Sequence, residues 1–344
     1  MAYRIARTSR TKFFLLVLTL LSLLSVLTVV SLSVGSSAIP PAEALRCLMG
    51  AECDEPIRLV LRLRVTRTTA SILVGCVLAV AGVLIQGITR NPLADPFILG
   101  ISSTALATLS IALLIDVSIL AQRQLAISIA LGGALLGYFL TTSIGVLAGG
   151  TGLSLVLSGV AVSALFSGVS HVLLYILQDR LRHPYANLLM GSTSGILERD
   201  ILYLAVPAVI SLLSLYALGV PKALNAYLFG EHYASQLGYR VKLTMVTSAF
   251  IASLLTGASV AVVGIVGFIG LAGPHISRML YGTSDHRVII VLSALAGSVL
   301  AVSADILARL ITLFSTRGEL PLGVITSIIG APFLAYLVIK GGRR

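Results

Sequence analysis

Apolar and polar positions along this chain sort into ten uncharged or nearly uncharged runs. They are Phe13–Val34, Thr68–Ile88, Pro96–Ile115, Gln124–Ala148, Thr151–Leu177, Ile201–Val220, Leu243–Ala261, Gly264–Leu280, Val288–Ala308 and Leu320–Ile339. Each is about the 20 residues that one helical crossing of a bilayer needs. The pattern predicts an all-α polytopic membrane protein of ten transmembrane helices, with both termini on one side. The seventh and eighth runs form one stretch, Leu243 to Ser277, too long for a single helix and punctuated by Gly257, Gly264, Gly267, Gly270, Gly273 and Pro274. We read two helices joined by a tight turn near Gly264. The second ends at a polar cluster of His275, Arg278, Asp285, His286 and Arg287. Within lipid a broken helix survives only where protein or a water-filled cavity satisfies its backbone. That implies a many-helix protein with an internal path.

Composition agrees: 57% of the 344 residues are hydrophobic and 11% charged, with a mean hydropathy of +1.03. Residues 1–344 read as one transmembrane domain, without a soluble stretch long enough to fold alone. The first run is longer than a signal-peptide core, so it reads as a retained span. The net charge of +11 is juxtamembrane. No basic run interleaves with aromatics, so nucleic acid is not an expected partner. All four lysines (Lys12, Lys222, Lys242, Lys340) fall on the side of the termini, which places both termini in the cytoplasm of a cell membrane. The outer side then carries an arginine surplus: Arg46, Arg58, Arg62, Arg64, Arg67, Arg123, Arg180, Arg182, Arg199, Arg309 and Arg317. Such a surplus, against the usual bias, marks either a face that docks something acidic or the reverse topology. Cys47 and Cys53 share an outer loop, and spacing alone leaves open whether they pair. They fit no four-ligand metal site.

The longest inner loop, 221–242, has Leu224, Tyr227, Leu228, Ala234 and Leu237 at helical spacing, punctuated by Gly230 and Gly238. Two short amphipathic helices fit it. Its cations lie only at its ends, so a protein groove suits it better than a lipid surface. Missing chemistry is equally informative. No acidic residue lies near the middle of a span; Asp305 is near a span end and Asp95 lies between spans. There is no G-x-x-x-x-G-K-[ST] phosphate loop, no catalytic constellation and no metal-ligand cluster. The chain therefore reads as a transporter component rather than an enzyme, with no cofactor of its own. An ion-coupled secondary transporter needs a mid-membrane ion site, and an intramembrane enzyme needs a nucleophile–base pair at depth. If the chain pumps, a partner subunit spends the ATP. On the fifth run, Gly152, Gly159, Ser163, Ser167 and Ser170 fall within about an 80° arc. That stripe fits helix packing and path lining equally well. The turn Gly149-Gly150-Thr151 before it is a candidate inner gate.

These residues resemble the FecCD-type permease family of vitamin B12, haem and ferric-siderophore ABC importers. The resemblance rests on Arg64-Val65-Thr66-Arg67, on Asn91-Pro92-Leu93-Ala94-Asp95-Pro96 followed by Leu99-Gly100, and on Gly267-Phe268-Ile269-Gly270-Leu271 with Pro274-His275, Arg278 and Asp285-His286-Arg287. It extends to Glu319-Leu320-Pro321-Leu322-Gly323, Gly330-Ala331-Pro332-Phe333 and the coupling-loop pattern Gly230-Glu231, Ala234, Leu237-Gly238. Thr66 stands where the family usually has proline. The resemblance implies ten helices per subunit and a homodimer with a translocation path between its copies. It also implies two ATP-binding cassette subunits inside and a substrate-binding protein outside. Arg64, Arg67 and Arg309 match the family's docking arginines, and Gly230, Glu231, Ala234, Leu237 and Gly238 its contacts to the ATPase. The implied activity is ATP-driven import of a metal chelate or corrinoid by alternating access.

Overall fold

The computed structural model describes residues 10–35, 37, 39–181, 191–312 and 320–342. Among the described residues there are thirteen α-helices: α1 (Arg10–Ser33), α2 (Pro41–Leu48), α3 (Glu55–Thr89), α4 (Ile101–Ile115), α5 (Arg123–Leu147), α6 (Gly152–Leu181), α7 (Ile201–Ala217), α8 (Val220–Tyr227), α9 (Glu231–Gln236), α10 (Val241–Val263), α11 (Ile269–Tyr281), α12 (His286–Thr312) and α13 (Leu322–Gly342). No strand occurs among the described residues.

Each of the ten apolar runs lies on a helix, but the helices are unequal. Among the described residues seven (α1, α3, α5, α6, α7 with the 3-10 turn Glu198–Asp200 before it, α10 and α12) are long and apolar enough for a full crossing. The 13 residues of α11 extend only about 20 Å at 1.5 Å per residue, short of a hydrocarbon core of about 30 Å. The 15 residues of α4 are also short. Helix α3 is the opposite case. Its 35 residues run on well before Thr68, so Arg58, Arg62, Arg64 and Arg67 ride on a helix and not in a loop.

Burial ranks the helices. The apolar stretches of α3, α10 and α12 are mostly buried, whereas α1 and α6 turn most of their surface outward. Small residues let the central helices touch backbone to backbone. A Cβ on Gly75 would stand 2.2 Å from the Gly297 carbonyl oxygen, and one on Gly82 only 1.8 Å from that of Gly270. In lipid, where apolar contact with a neighbour gains little over contact with acyl chains, close approach of this kind supplies much of the association.

The break after α10 falls where the glycines predict it. Gly264 (φ 88°) ends the helix and Phe268 (φ 67°) begins the next. Another segment meets the freed backbone: the Ser192 amide donates to the Val263 carbonyl at 2.7 Å, and Gly191 beside it accepts from the Gly323 amide at 3.0 Å. Between α1 and α3, α2 packs Ala44 against Leu32, Ile39 and Leu61, and a disulfide joins Cys47 to Cys53 with Cα atoms 5.7 Å apart.

Candidate functional site

Three regions hold the residues singled out by sequence. At the end that the lysine distribution predicts to be outer, Arg64 and Arg67 of α3 and Arg309 of α12 line one crevice of about 330 Å³, with Gly35, Ser37 and the Thr193–Ile196 segment. The motif residues are thus brought together, but their guanidinium groups are largely occupied. Arg64, 6% exposed, donates to the carbonyls of Leu32 (2.7 Å), Ser33 (3.1 Å) and Ser37. The first two are orphan carbonyls at the end of α1, which a cation complements. Arg309 donates to the carbonyls of Ser31 (2.7 Å) and Val34 (3.1 Å) and to the Asp305 carboxylate at 2.6 Å. Arg67 Nε reaches the other Asp305 oxygen at 2.9 Å, and the Thr193 hydroxyl donates to that oxygen at 2.6 Å. Asp305 is the hub of a buried charge cluster. The i, i+4 spacing of Asp305 and Arg309 is the one sequence signal that points to it.

Exposed cations at this end are Arg46, Arg58 and Arg199, together with Arg62, which forms a solvent-facing pair with Glu198. Arg62 lies two residues and Arg58 six residues before Arg64 on α3, and this register brings both to the rim. Arg182 and Arg317 lie outside the described residues.

At the opposite end, predicted to be inner, the two expected short helices are α8 and α9. Gly230 joins them at φ 121°, ψ 158°, backbone that only glycine adopts readily, and Gly238 (φ 84°) ends α9. Leu224, Tyr227, Leu228 and Ala234 point inward and are buried, so most of the stripe seen in the sequence packs on its own chain. The face turned outward is Phe229, just before the Gly230 turn, with Tyr233 of α9 and Leu237 at its end, and Glu231 beside them; the first two rings stand 5.5 Å apart. Sequence reading found Leu237 but not the two aromatics, because helical spacing alone does not distinguish the packed face from the free one.

Two clamps tie this loop to the bundle. Arg90, in a left-handed conformation at the end of α3, donates to the Leu228 carbonyl at 3.3 Å and stands 5.7 Å over the Tyr227 ring. Asn225 of α8 bonds to Asp285 and His286 at the start of α12. Burial pushes the Asp285 carboxyl up, but hydrogen bonds from Arg287 and Asn225 outweigh it and hold the group below its usual range. Arg278 of α11 donates to Gln86 of α3 at 2.5 Å, and Gln86 in turn donates to the Ala94 carbonyl at 3.2 Å. The distinctive polar block is thus a buried joint between α3, α11, α12 and the inner loop. Among the described residues no three His, Cys, Asp or Glu side chains gather as metal ligands.

The third region is the α5–α6 turn. Gly149 (φ 106°) and Gly150 (φ 68°) reverse the chain, and Thr151 and Ser154 exchange backbone-to-hydroxyl bonds of 2.8 and 3.1 Å that start α6. A cavity of about 170 Å³ opens beside the turn, bounded by Thr142, Leu155, Met245 and Lys242. Along the stripe, Gly152, Gly159 and Ser170 are buried, and the Ser170 hydroxyl donates to the Ser103 carbonyl of α4. Ser163 and Ser167 stay half-exposed. Packing takes up part of the stripe.

Residues 23–340 match the FecCD transport family model. The chain is 34% identical to the ferric enterobactin permease protein FepD of Escherichia coli, over 91% of this chain and 92% of that one. It is 35% identical to the hemin permease protein HmuU of Yersinia pestis (81% and 83%), and 37% identical to the cobalamin import permease protein BtuC of Halobacterium salinarum (80% and 72%). A solved chain described as an inward-facing conformation of a metal-chelate type ABC transporter superposes with a TM-score of 0.78 at 27% identity, covering 95% of this chain and 99% of that one. The family match over residues 23–340 and the near full-length similarity agree: this chain belongs to the FecCD transport family.

Proposed function

We propose that the chain is the membrane-spanning permease subunit of an ATP-driven importer for a metal chelate or corrinoid, delivered outside by a binding protein. The observation that carries this reading is a family match over residues 23–340 in a chain without a nucleotide site. Two copies form the path between them, and all ten helices span the membrane, α4 and α11 as short elements. Phe229, Tyr233 and Leu237 with Glu231 meet a groove on the ATPase, and Gly230 sets the angle between α8 and α9. ATP-driven closure of the ATPase pair moves these helices, and the path opens alternately to each side. Ser163 and Ser167, left half-exposed by α4, are the part of the small stripe that reaches the path, with Gly149-Gly150-Thr151 as its inner gate. At the outer end the Arg64–Arg67–Arg309 crevice meets acidic side chains of the binding protein. Because Arg64 and Arg309 are held internally, exposed Arg58, Arg62 and Arg199 contribute the long-range attraction that sets encounter.

The test is reconstitution with the cognate ATPase and binding protein in proteoliposomes. We expect uptake of ferric hydroxamate, haem or cobalamin that requires ATP and stops when the ATPase lysine of the phosphate loop is replaced. Uptake by the lone chain under an ion gradient would overturn the assignment.

A further inference from the structure

Helix α12 carries a fastening at each end. At its outer end Asp305 and Arg309 hold Arg67, Thr193 and the end of α1. At its inner end the fastening is Asn225, a residue of the loop helix α8. Asn225 Nδ2 donates to Asp285 Oδ1 at 2.7 Å. Its Oδ1 accepts from the His286 amide and from His286 Nδ1, both at 2.8 Å. A backbone N–H can only donate, so the amide orientation is fixed by its partners. Asp285 caps α12 through the Arg287 amide at 3.0 Å, and Asn225 takes the preceding amide. The first turn of α12 is thus capped jointly by its own Asp285 and by a side chain from α8. Asp285 and His286 are both nearly fully buried, and His286 is pressed onto α3: a Cβ on Gly87 would lie 2.8 Å from its Nε2. Helix α12 is 27 residues long, and the stretch from His286 to Asp305 that separates the two fastenings extends about 30 Å with no proline, whereas α7, α11 and α13 each contain one.

We propose that α12 is the strut that carries movement of the inner loop to the outer arginine cluster, and that Asn225 is the positioning residue that joins loop to strut. The inference rests on the permease reading above. It differs from a rigid-loop picture because it makes one side-chain amide the joint.

The test uses Asn225→Asp, which sets a carboxylate against Asp285, and the exchange Asn225→Asp with Asp285→Asn, which restores one amide and one carboxylate across the joint. Three measurements are made on the full chain in nanodiscs: ATPase co-purification, amide hydrogen exchange over residues 283–289, and the response to ATP of a spin label at Leu307→Cys in a Cys76→Ala background. Leu307 is exposed near the outer end of α12. In Asn225→Asp we expect exchange about tenfold faster, the ATPase retained and the ATP response of the label lost; the exchanged pair regains both. Unchanged exchange in Asn225→Asp, or a label that still responds to ATP, would overturn the joint. So would an exchanged pair that recovers slow exchange but not the response, since the amide would then serve folding alone. A wild-type chain that does not retain the ATPase refutes the permease reading instead, and the exchange arm still decides whether the joint exists.

Discussion

Replacing Asp305 with Ala is the sharpest perturbation of the outer cluster. Its carboxylate is the shared acceptor of Arg67 (2.9 Å), Thr193 (2.6 Å) and Arg309 (2.6 Å). Asp305 is fully buried, the Arg309 side chain is 3% exposed and that of Arg67 12%, so water screens little of the interaction. Removing one partner of a buried ion pair costs about 3–5 kcal/mol, because the charge left behind stays desolvated. Arg309 keeps its carbonyl acceptors at Ser31 and Val34, and Arg67 has the crevice to turn into. The loss therefore belongs at the low end, about 3 kcal/mol. At about 2 °C per kcal/mol for a chain of this length, the melting midpoint falls by roughly 6 °C. The assay is built into the chain: with Cys47 and Cys53 bonded, Cys76 on α3 is the free cysteine. A thiol-reactive coumarin reports its exposure on heating in detergent. Asp305→Asn keeps an acceptor and loses less. Adding Arg67→Met to Asp305→Ala recovers part of the loss, since one orphan charge goes with it. An Asp305→Ala midpoint within about 1 °C of wild type would refute the view that this cluster holds α1, α3 and α12 together.

Gly230→Ala forces a non-glycine residue into φ 121°, ψ 158°, and Leu237→Asp places a charge on the outward face of the loop; both are expected to leave the chain folded and to abolish ATP-driven uptake, and persistent uptake refutes the lever role. Burial raises half-buried Asp95 to about 6 against a bond from the Phe97 amide, so the native chain binds more protons than the unfolded one between pH 3.8 and about 6. Stability is therefore expected to fall as pH rises through that window and to level off above it; Asp95→Asn, which keeps the cap, flattens the curve and raises the melting midpoint at pH 7, and an unchanged slope excludes Asp95 as its source. For the outer disulfide, alkylation of the denatured chain labels one thiol before reduction and three after; three labels without reduction contradict the Cys47–Cys53 bond.

Periodicity and composition alone identify an all-helical membrane protein, place ten apolar segments, mark the break at Gly264 and find the inner helix pair. Those features follow from local rules: a span must be apolar over its length, and backbone that bends in lipid needs glycine or proline. The family resemblance also set Arg64, Arg67 and Arg309 on one face before any coordinates. What the sequence leaves undecided is direction and partnership. Helical spacing marks Leu224, Tyr227, Leu228, Ala234 and Leu237 as one stripe, yet only packing on the bundle decides that the first four are buried and that Phe229, Tyr233 and Leu237 face outward. A stripe of small residues on α6 packs and lines a path equally well, until α4 covers Ser170 and leaves Ser163 and Ser167 half-exposed. Charge count makes the outer arginines look free, but Arg64 and Arg309 are held by carbonyls of α1, more than 30 and 270 residues away in the chain. Asn225, which the sequence does not mark, becomes a joint because the fold sets α8 beside the start of α12. These contacts lie far apart along the chain, and no local periodicity encodes them; only the mutual burial of the helices decides which polar group meets which.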